Sequence, residues 1–102
     1  MFIAMNRFRI AQGFEAGFET MWSNRESQLN SVPGFREFRL LKGPSDDAGT
    51  LYASHTVWES RDDFDAWRNS EAFTRAHAQA KAPQGTYLGH PVFEGFDVIL
   101  DA

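Results

Sequence analysis

Hydrophobic and polar residues alternate from the start of the chain. In FIAMNRFRI, residues 2–10, every second position gives Phe2, Ala4, Asn6, Phe8 and Ile10. Four of these five residues are apolar, which predicts a β-strand with one face against a core. The amide of Asn6 interrupts that face at its centre, where an unpaired polar group would cost free energy.

The spacing of apolar residues then changes to that of a helix. Over residues 11–34 the larger apolar side chains are Phe14, Phe18, Met21, Trp22 and Leu29. Their spacing places them on one stripe and predicts a single helix of about four turns. Val32-Pro33-Gly34 ends this helix, because proline disfavours helical geometry in the residue before it and glycine permits a sharp turn.

The middle of the chain predicts a long hairpin. Residues 35–43 have a mixed strand pattern, residues 43–50 are rich in turn-forming residues, and residues 51–59 are rich in β-branched and aromatic residues. Two strand patterns joined by such a loop are typical of neighbouring antiparallel strands.

Two short helices and a last strand follow. Ser60 with an acidic residue three positions later is typical of a helix start, and Asn69-Ser70 predicts a break between two helices. Residues 81–91 contain two Pro and two Gly and predict a loop. Residues 92–100, VFEGFDVIL, predict a closing strand.

The order β-α-β-β-α(α)-β is that of the ferredoxin-like split arrangement. We predict an α+β fold in which residues 1–102 form a single ferredoxin-like domain. It has a four-stranded antiparallel sheet with helices on one face. The other face would be bare on a chain so rich in aromatic residues, and a second copy would cover it most simply. We therefore expect a symmetric homodimer, a dimeric α/β-barrel.

Composition narrows the function. The chain is 42% hydrophobic and 24% charged, as in ordinary globular proteins, but its aromatic content of 15% suggests a flat apolar ligand or an interface. The net charge of −4 disfavours nucleic acid, and the absence of cysteine excludes disulfides and thiolate chemistry. Without a signal-peptide pattern or a membrane-length apolar run, we expect a cytoplasmic protein without a membrane partner.

Three residues are candidates for chemistry. Asn6 is either an amide satisfied by the backbone or a donor to a bound ligand. Trp67 shares a helix face with Phe64, and it either packs in the core or forms a flat wall for a planar ligand. His77 follows Phe73 by four residues among alanines, and it is either a structural histidine or a haem ligand or general base.

Other candidates are weaker. His55 lies in the third predicted strand as a core or interface residue, and His90 lies in a loop where we expect it to be exposed. The arginines of the predicted strands can pair with acidic groups of the protein or of a ligand: Arg7, Arg9, Arg36 and Arg39. The sequence contains no glycine-rich phosphate loop, serine nucleophile motif or carboxylate pair at useful spacing.

The run FDAWRNSEAFTRAH, residues 64–77, resembles the F-x-x-W-x-x-S-x-x-F-x-x-A-H signature of the IsdG-type haem-degrading monooxygenases. That family belongs to the antibiotic biosynthesis monooxygenase superfamily of dimeric ferredoxin-like proteins. The asparagine of the first strand, VPGF at residues 32–35 and TVW at residues 56–58 extend the resemblance over nearly the whole chain.

The resemblance implies that Asn6, Trp67 and His77 form a catalytic set. His77 would be the axial ligand of the haem iron, Asn6 would donate a hydrogen bond to the iron-bound oxygen, and Trp67 would hold the ring out of plane. Phe64 and Phe73 would line the same haem site. Haem would be both substrate and cofactor. O2 and an electron donor, a reductase or ascorbate, would open the ring and release iron and a bilin-type product, serving iron acquisition.

Two other functions are compatible with these residues. Cofactor-independent monooxygenases of the same superfamily oxidise aromatic polyketide or quinone precursors and often carry an asparagine and a tryptophan. A non-enzymatic haem-binding protein would need a pocket for haem but no catalytic residues. His77 directly after Ala76 favours the haem-degrading enzyme.

Overall fold

The computed structural model describes residues 1–24, 29–79 and 82–102, and for residues 76–79 it describes the course of the main chain only. Within these ranges no helix is long and apolar enough to cross a membrane. The elements in chain order are β1 (Phe2–Ala11), α1 (Glu15–Ser23), a 3-10 turn (Leu29–Ser31), β2 (Phe35–Ser45), β3 (Gly49–Trp58), α2 (Arg61–Arg68), α3 (Glu71–Gln79) and β4 (Val92–Asp97).

The strands form one antiparallel sheet of four strands in the order β2-β3-β1-β4. β1 lies between β3 and β4, so that Phe2 pairs with Trp58 on one side and with Asp97 on the other. Phe18 of α1 and Phe64 of α2 both pack on the same face of this sheet. The predicted ferredoxin-like α+β architecture, with helices on one face, is therefore confirmed.

The hairpin loop is shorter than the sequence pattern predicted. β2 continues to Ser45 and β3 begins at Gly49, whereas we predicted a loop over residues 43–50. The side chain of Asp46 closes the turn, because its Oδ1 accepts hydrogen bonds from the main-chain N–H groups of Ala48 (2.9 Å) and Gly49 (3.0 Å). This local closure lets strand pairing extend almost to the tip.

β4 is also shorter than predicted. It ends at Asp97, whereas we predicted a strand to residue 100. Asp97 pairs with Phe2, the first residue of β1. Val98 still donates its main-chain N–H to the carbonyl oxygen of Met1 (3.0 Å), and residues 99–100 extend past the end of β1, so the ladder stops there.

The prediction of one four-turn helix before Val32 was wrong. α1 ends at Ser23, and Leu29 begins a separate 3-10 turn; residues 25–28 lie outside the described part of the chain. The two pieces also pack differently. Phe18 contacts the half of the sheet around Ile10, whereas Leu29 packs against the other half. The regular spacing of apolar residues therefore predicted one helix where the structure has two elements, and these pack in separate parts of the core.

The turn before β2 and the start of α2 are built against each other. Gly34 has a φ of +82°, and a Cβ there would lie 2.3 Å from Cγ of Asp63, so only glycine fits. Ser60 caps α2, since its Oγ accepts a hydrogen bond from the N–H of Asp63 (3.2 Å). The predicted turn and helix start are both confirmed, and the cap fixes the entry of the helix that carries Trp67.

The face of the sheet away from the helices carries apolar side chains interspersed with charged pairs. Ala53 and Val57 of β3 lie there, since they alternate with residues that face the helices, and both are buried by their neighbours. Around them lie side chains that are substantially exposed: Leu41 (39%), Val92 (56%) and Phe96 (47%). This surface, which we call the open face, presents apolar area of the kind that partner chains cover.

Candidate active site

Asn6 lies in the middle of β1, on the face that the helices cover. The core on this face is divided into two clusters of apolar side chains. Phe2 and Ala4 belong to the first cluster. Ile10 belongs to the second, and Phe8 packs against it. The Asn6 side chain is partly exposed, and it makes no hydrogen bond to any residue in the described part of the chain. An amide with open hydrogen-bonding capacity thus separates two apolar clusters.

The strand register gives Asn6 two neighbours that sequence reasoning missed. It pairs with Ser54 of β3 and with Phe93 of β4, and directly opposite side chains lie about 5 Å apart. Ser54 is buried, so a polar side chain also interrupts the apolar face at the neighbouring position of β3. The Phe93 side chain is 41% exposed. Only the pairing of distant strands brings these residues together, so no local pattern pointed to them.

Trp67 belongs to an aromatic cluster at the end of α2. Its ring centroid lies 5.4 Å from that of Trp58 and 4.8 Å from that of Phe73, the latter in an edge-on contact. The residue is only partly buried, and its indole N–H has no hydrogen-bond partner among the described residues. Trp67 therefore packs on the core while part of its surface stays accessible.

Phe64 connects α2 to the edge strand. It is buried, and its ring is stacked on that of Phe93 with centroids 5.5 Å apart and planes within 5°. It also makes an edge-on contact with Trp58 at 5.8 Å. These contacts hold the helix surface that carries Trp67 close to the strand position opposite Asn6.

The predicted break between α2 and α3 is confirmed, and Ser70 forms it. Its hydroxyl donates to the carbonyl oxygen of Trp67 (2.6 Å), and its Oγ accepts from the N–H of Phe73 (3.2 Å). The same residue thus ends one helix and caps the next. His77 lies in α3 one turn after Phe73, but its side chain is outside the described residues, so its role remains a prediction.

The sequence profile of the antibiotic biosynthesis monooxygenase family matches residues 1–79, a range that includes Asn6, Trp67 and His77. The chain belongs to this family. The family resemblance inferred from residues 64–77 is therefore confirmed.

Individual members of the family and their solved structures sharpen the comparison. The haem oxygenase (staphylobilin-producing) of Staphylococcus haemolyticus is 29% identical over 77 residues, covering 76% of this chain and 73% of that protein. The haem degrader MhuD of Mycobacterium tuberculosis, solved with two haems in its active site, is 28% identical. The match covers 100% of this chain and 99% of that one, with a TM-score of 0.76.

A cofactor-independent oxygenase has the same fold. SnoaB of Streptomyces nogalater superposes with a TM-score of 0.69, covering 98% of this chain and 95% of that one, at 17% identity. At this identity the likeness shows the fold alone.

Besides His77, this monooxygenase-family chain has two histidines, and both lie apart from Asn6. His55 points to the open face between Ala53 and Val57, on the opposite side of the sheet from Asn6. It is partly buried there, and its predicted place in the core or an interface stays a prediction. His90 is exposed in the loop before β4, as predicted.

A groove of about 350 Å³ lies away from the family's candidate residues, between α1 and the loop before β4. Phe14, Met21, Pro83 and Thr86 are among its lining residues, and Asn6 and Trp67 are not. None of the described side chains that line it can exchange a proton near neutral pH.

The ionisable groups with shifted pKa values in the described part of the chain lie around α1 and, for Asp46, at the tip of the β2–β3 hairpin. The Tyr52 hydroxyl donates a hydrogen bond to Glu19 and lowers the pKa of that carboxyl, to which Lys42 also donates (3.0 Å). Burial, followed by the bond to Glu19, raises the pKa of Tyr52 to about 12. These bonds join α1 to β2 and β3 and have a structural role.

Proposed function

We propose that this chain is a haem-degrading monooxygenase. Haem would be its substrate, and O2 with electrons from a reductase or ascorbate would open the porphyrin, releasing iron and a bilin-type product in the cytoplasm. The observation that carries the proposal is the amide of Asn6, which bonds to no described residue and lies between two apolar clusters on the helix-covered face. The likeness to two haem-degrading proteins at 29% and 28% identity supports it.

The described residues fit a flat ring. The edge-on pair of Trp67 and Phe73 and the exposed ring of Phe93 offer apolar surfaces, while Asn6 supplies a polar group on the strand. Aromatic surfaces of this kind favour a large planar ligand, because they bury much apolar area at little conformational cost.

Each residue of the predicted catalytic set has a separate task in this proposal. His77 would supply an imidazole nitrogen to hold the haem iron. The Asn6 amide nitrogen would donate a hydrogen bond to the oxygen that attacks a meso carbon. Trp67 would press on the ring, and the contacts of its indole with Phe73 and Phe64 would hold it in position.

Haem spectroscopy tests the proposal against its two rivals. Hemin is titrated into the purified protein, and ascorbate is then added in air. We expect a saturable Soret band that decays as bilin absorbance and chelatable iron appear. A Soret band that survives reductant and oxygen would instead indicate a binding protein. Absence of saturable haem binding, with oxygen consumption on an anthrone-type substrate, would indicate a cofactor-independent oxygenase.

We further propose that the open face forms a symmetric homodimer. Its exposed Leu41 lies beside the buried Ala53, and the exposed Val92 and Phe96 lie on the other side of β1, so apolar side chains reach from one edge of the sheet to the other. Sedimentation velocity should show a particle of two chains rather than one of 11.6 kDa.

Charge placed on the open face tests the location of this interface. Phe96→Asp should shift the protein towards a monomer without unfolding it, because Phe96 is 47% exposed. The matched control is Leu100→Asp at an 85% exposed position beyond the sheet, which should leave the dimer intact. A wild-type monomer at micromolar concentration, or equal effects of the two substitutions, would contradict the proposal.

A further inference from the structure

All but one of the cationic side chains in the described ranges pair with carboxylates of the chain. The pairs are Arg7–Glu94, Arg9–Asp46, Arg36–Glu59, Arg39–Glu37, Lys42–Glu19, Arg61–Asp65 and Arg75–Glu71. The four strand arginines that the sequence offered as partners for acidic groups are thus already paired within the chain. Arg68 is the exception, since no described carboxylate pairs with it.

Arg68 lies beside the candidate active site. It is an exposed residue in the last turn of α2, directly after Trp67, and its guanidinium carbon lies 5.4 Å from the ring centroid of Phe93. Phe93 is the residue opposite Asn6 in the register of β1 and β4. The aromatic face holds the guanidinium by a cation–π contact, which leaves its N–H groups available at the rim of the site.

We infer that Arg68 binds a carboxylate at the edge of the substrate, a propionate of haem. This inference rests on the proposed function. The planar fork of an arginine matches a carboxylate in a two-point hydrogen bond, and an arginine without a carboxylate of its own has that capacity free. A flat ring with its acidic groups along one edge would thereby be held in one rotation. Arg68 would then decide which meso carbon faces Asn6.

Arg61 provides a matched control on the same helix. Its guanidinium carbon also lies over a phenylalanine ring, 5.7 Å from the centroid of Phe2, but it pairs with Asp65 (3.8 Å). Arg68→Met and Arg61→Met each remove one positive charge and one cation–π contact while keeping a long apolar stem. Arg68→Met therefore removes a guanidinium that is available to bind a carboxylate, whereas Arg61→Met removes one that is already paired.

The binding of a charged and an uncharged porphyrin can be compared to distinguish recognition of the carboxylate charge by Arg68 from simple packing. Hemin and hemin dimethyl ester, whose propionates carry no charge, are titrated against wild type and both variants by quenching of tryptophan fluorescence. We expect Arg68→Met to weaken hemin binding about tenfold, equivalent to about 1.4 kcal/mol, and to leave ester binding unchanged. Arg61→Met should change neither. During turnover, Arg68→Met should also give a broader mixture of bilin isomers.

The alternative outcomes are distinct. Equal weakening of hemin and ester by Arg68→Met would show that the residue acts by packing on Phe93 and would overturn the inference. Unchanged hemin binding by that variant would overturn it as well. A wild-type protein that binds neither porphyrin would refute the proposed function itself, and with it this role of Arg68. Thermal unfolding of both variants verifies that they are folded.

Discussion

Replacing His77 with alanine is expected to lower haem turnover by about 100-fold or more, a loss of about 2.7 kcal/mol of transition-state stabilisation. Imidazole is the neutral nitrogen ligand that commonly holds haem iron, and alanine cannot replace it. Neither remaining histidine is placed to substitute: His55 faces the other side of the sheet from Asn6, and His90 lies in the exposed loop before β4.

The measurement is the rate of Soret decay under ascorbate in air, together with the spectrum of the ferric complex. His90→Ala is the control, since it removes an exposed histidine from a loop and should leave both unchanged. Free imidazole added to His77→Ala should restore the spectrum of the ligated haem, which a merely structural role of His77 would not predict. If His77→Ala binds and degrades haem as wild type does, another group holds the iron.

The Asn6→Ala variant is expected to fold normally and to lose turnover. One hydrogen-bond donor aimed at a reacting oxygen can supply about 2.7–4 kcal/mol, so we expect a loss of roughly 100-fold or more. The free energy of unfolding should stay within about 0.5 kcal/mol of wild type. The amide is partly exposed and bonds to no described residue, so its removal leaves no polar partner unsatisfied.

Urea denaturation and the rate of haem decay measure the two effects separately. Asn30→Ala is a suitable control, because it truncates an exposed asparagine in the 3-10 turn. Asn6→Leu should go further and raise the free energy of unfolding while abolishing turnover, since leucine would join the two apolar clusters on either side. Unfolding of Asn6→Ala would instead show that the amide is a structural element of the core.

Short-range patterns determined the order of elements in this chain. The alternation along β1, the Ser60 cap and the break at Ser70 each depend on residues within a few positions of one another. Their chemistry acts locally, because a strand face, a helix cap and a helix end are each set by neighbouring residues. The same local pattern already showed that Asn6 is a polar residue on an otherwise apolar strand face.

Tertiary structure decided what surrounds these elements. Leu29 continued the helical period of α1 but packs in the other cluster, because a period cannot show that a helix has ended and a new element has begun. Phe93 and Arg68 meet beside Asn6 only because β4 pairs with β1 and α2 packs over both. These contacts join residues far apart in sequence, so strand register and helix placement, rather than local spacing, assemble the candidate site.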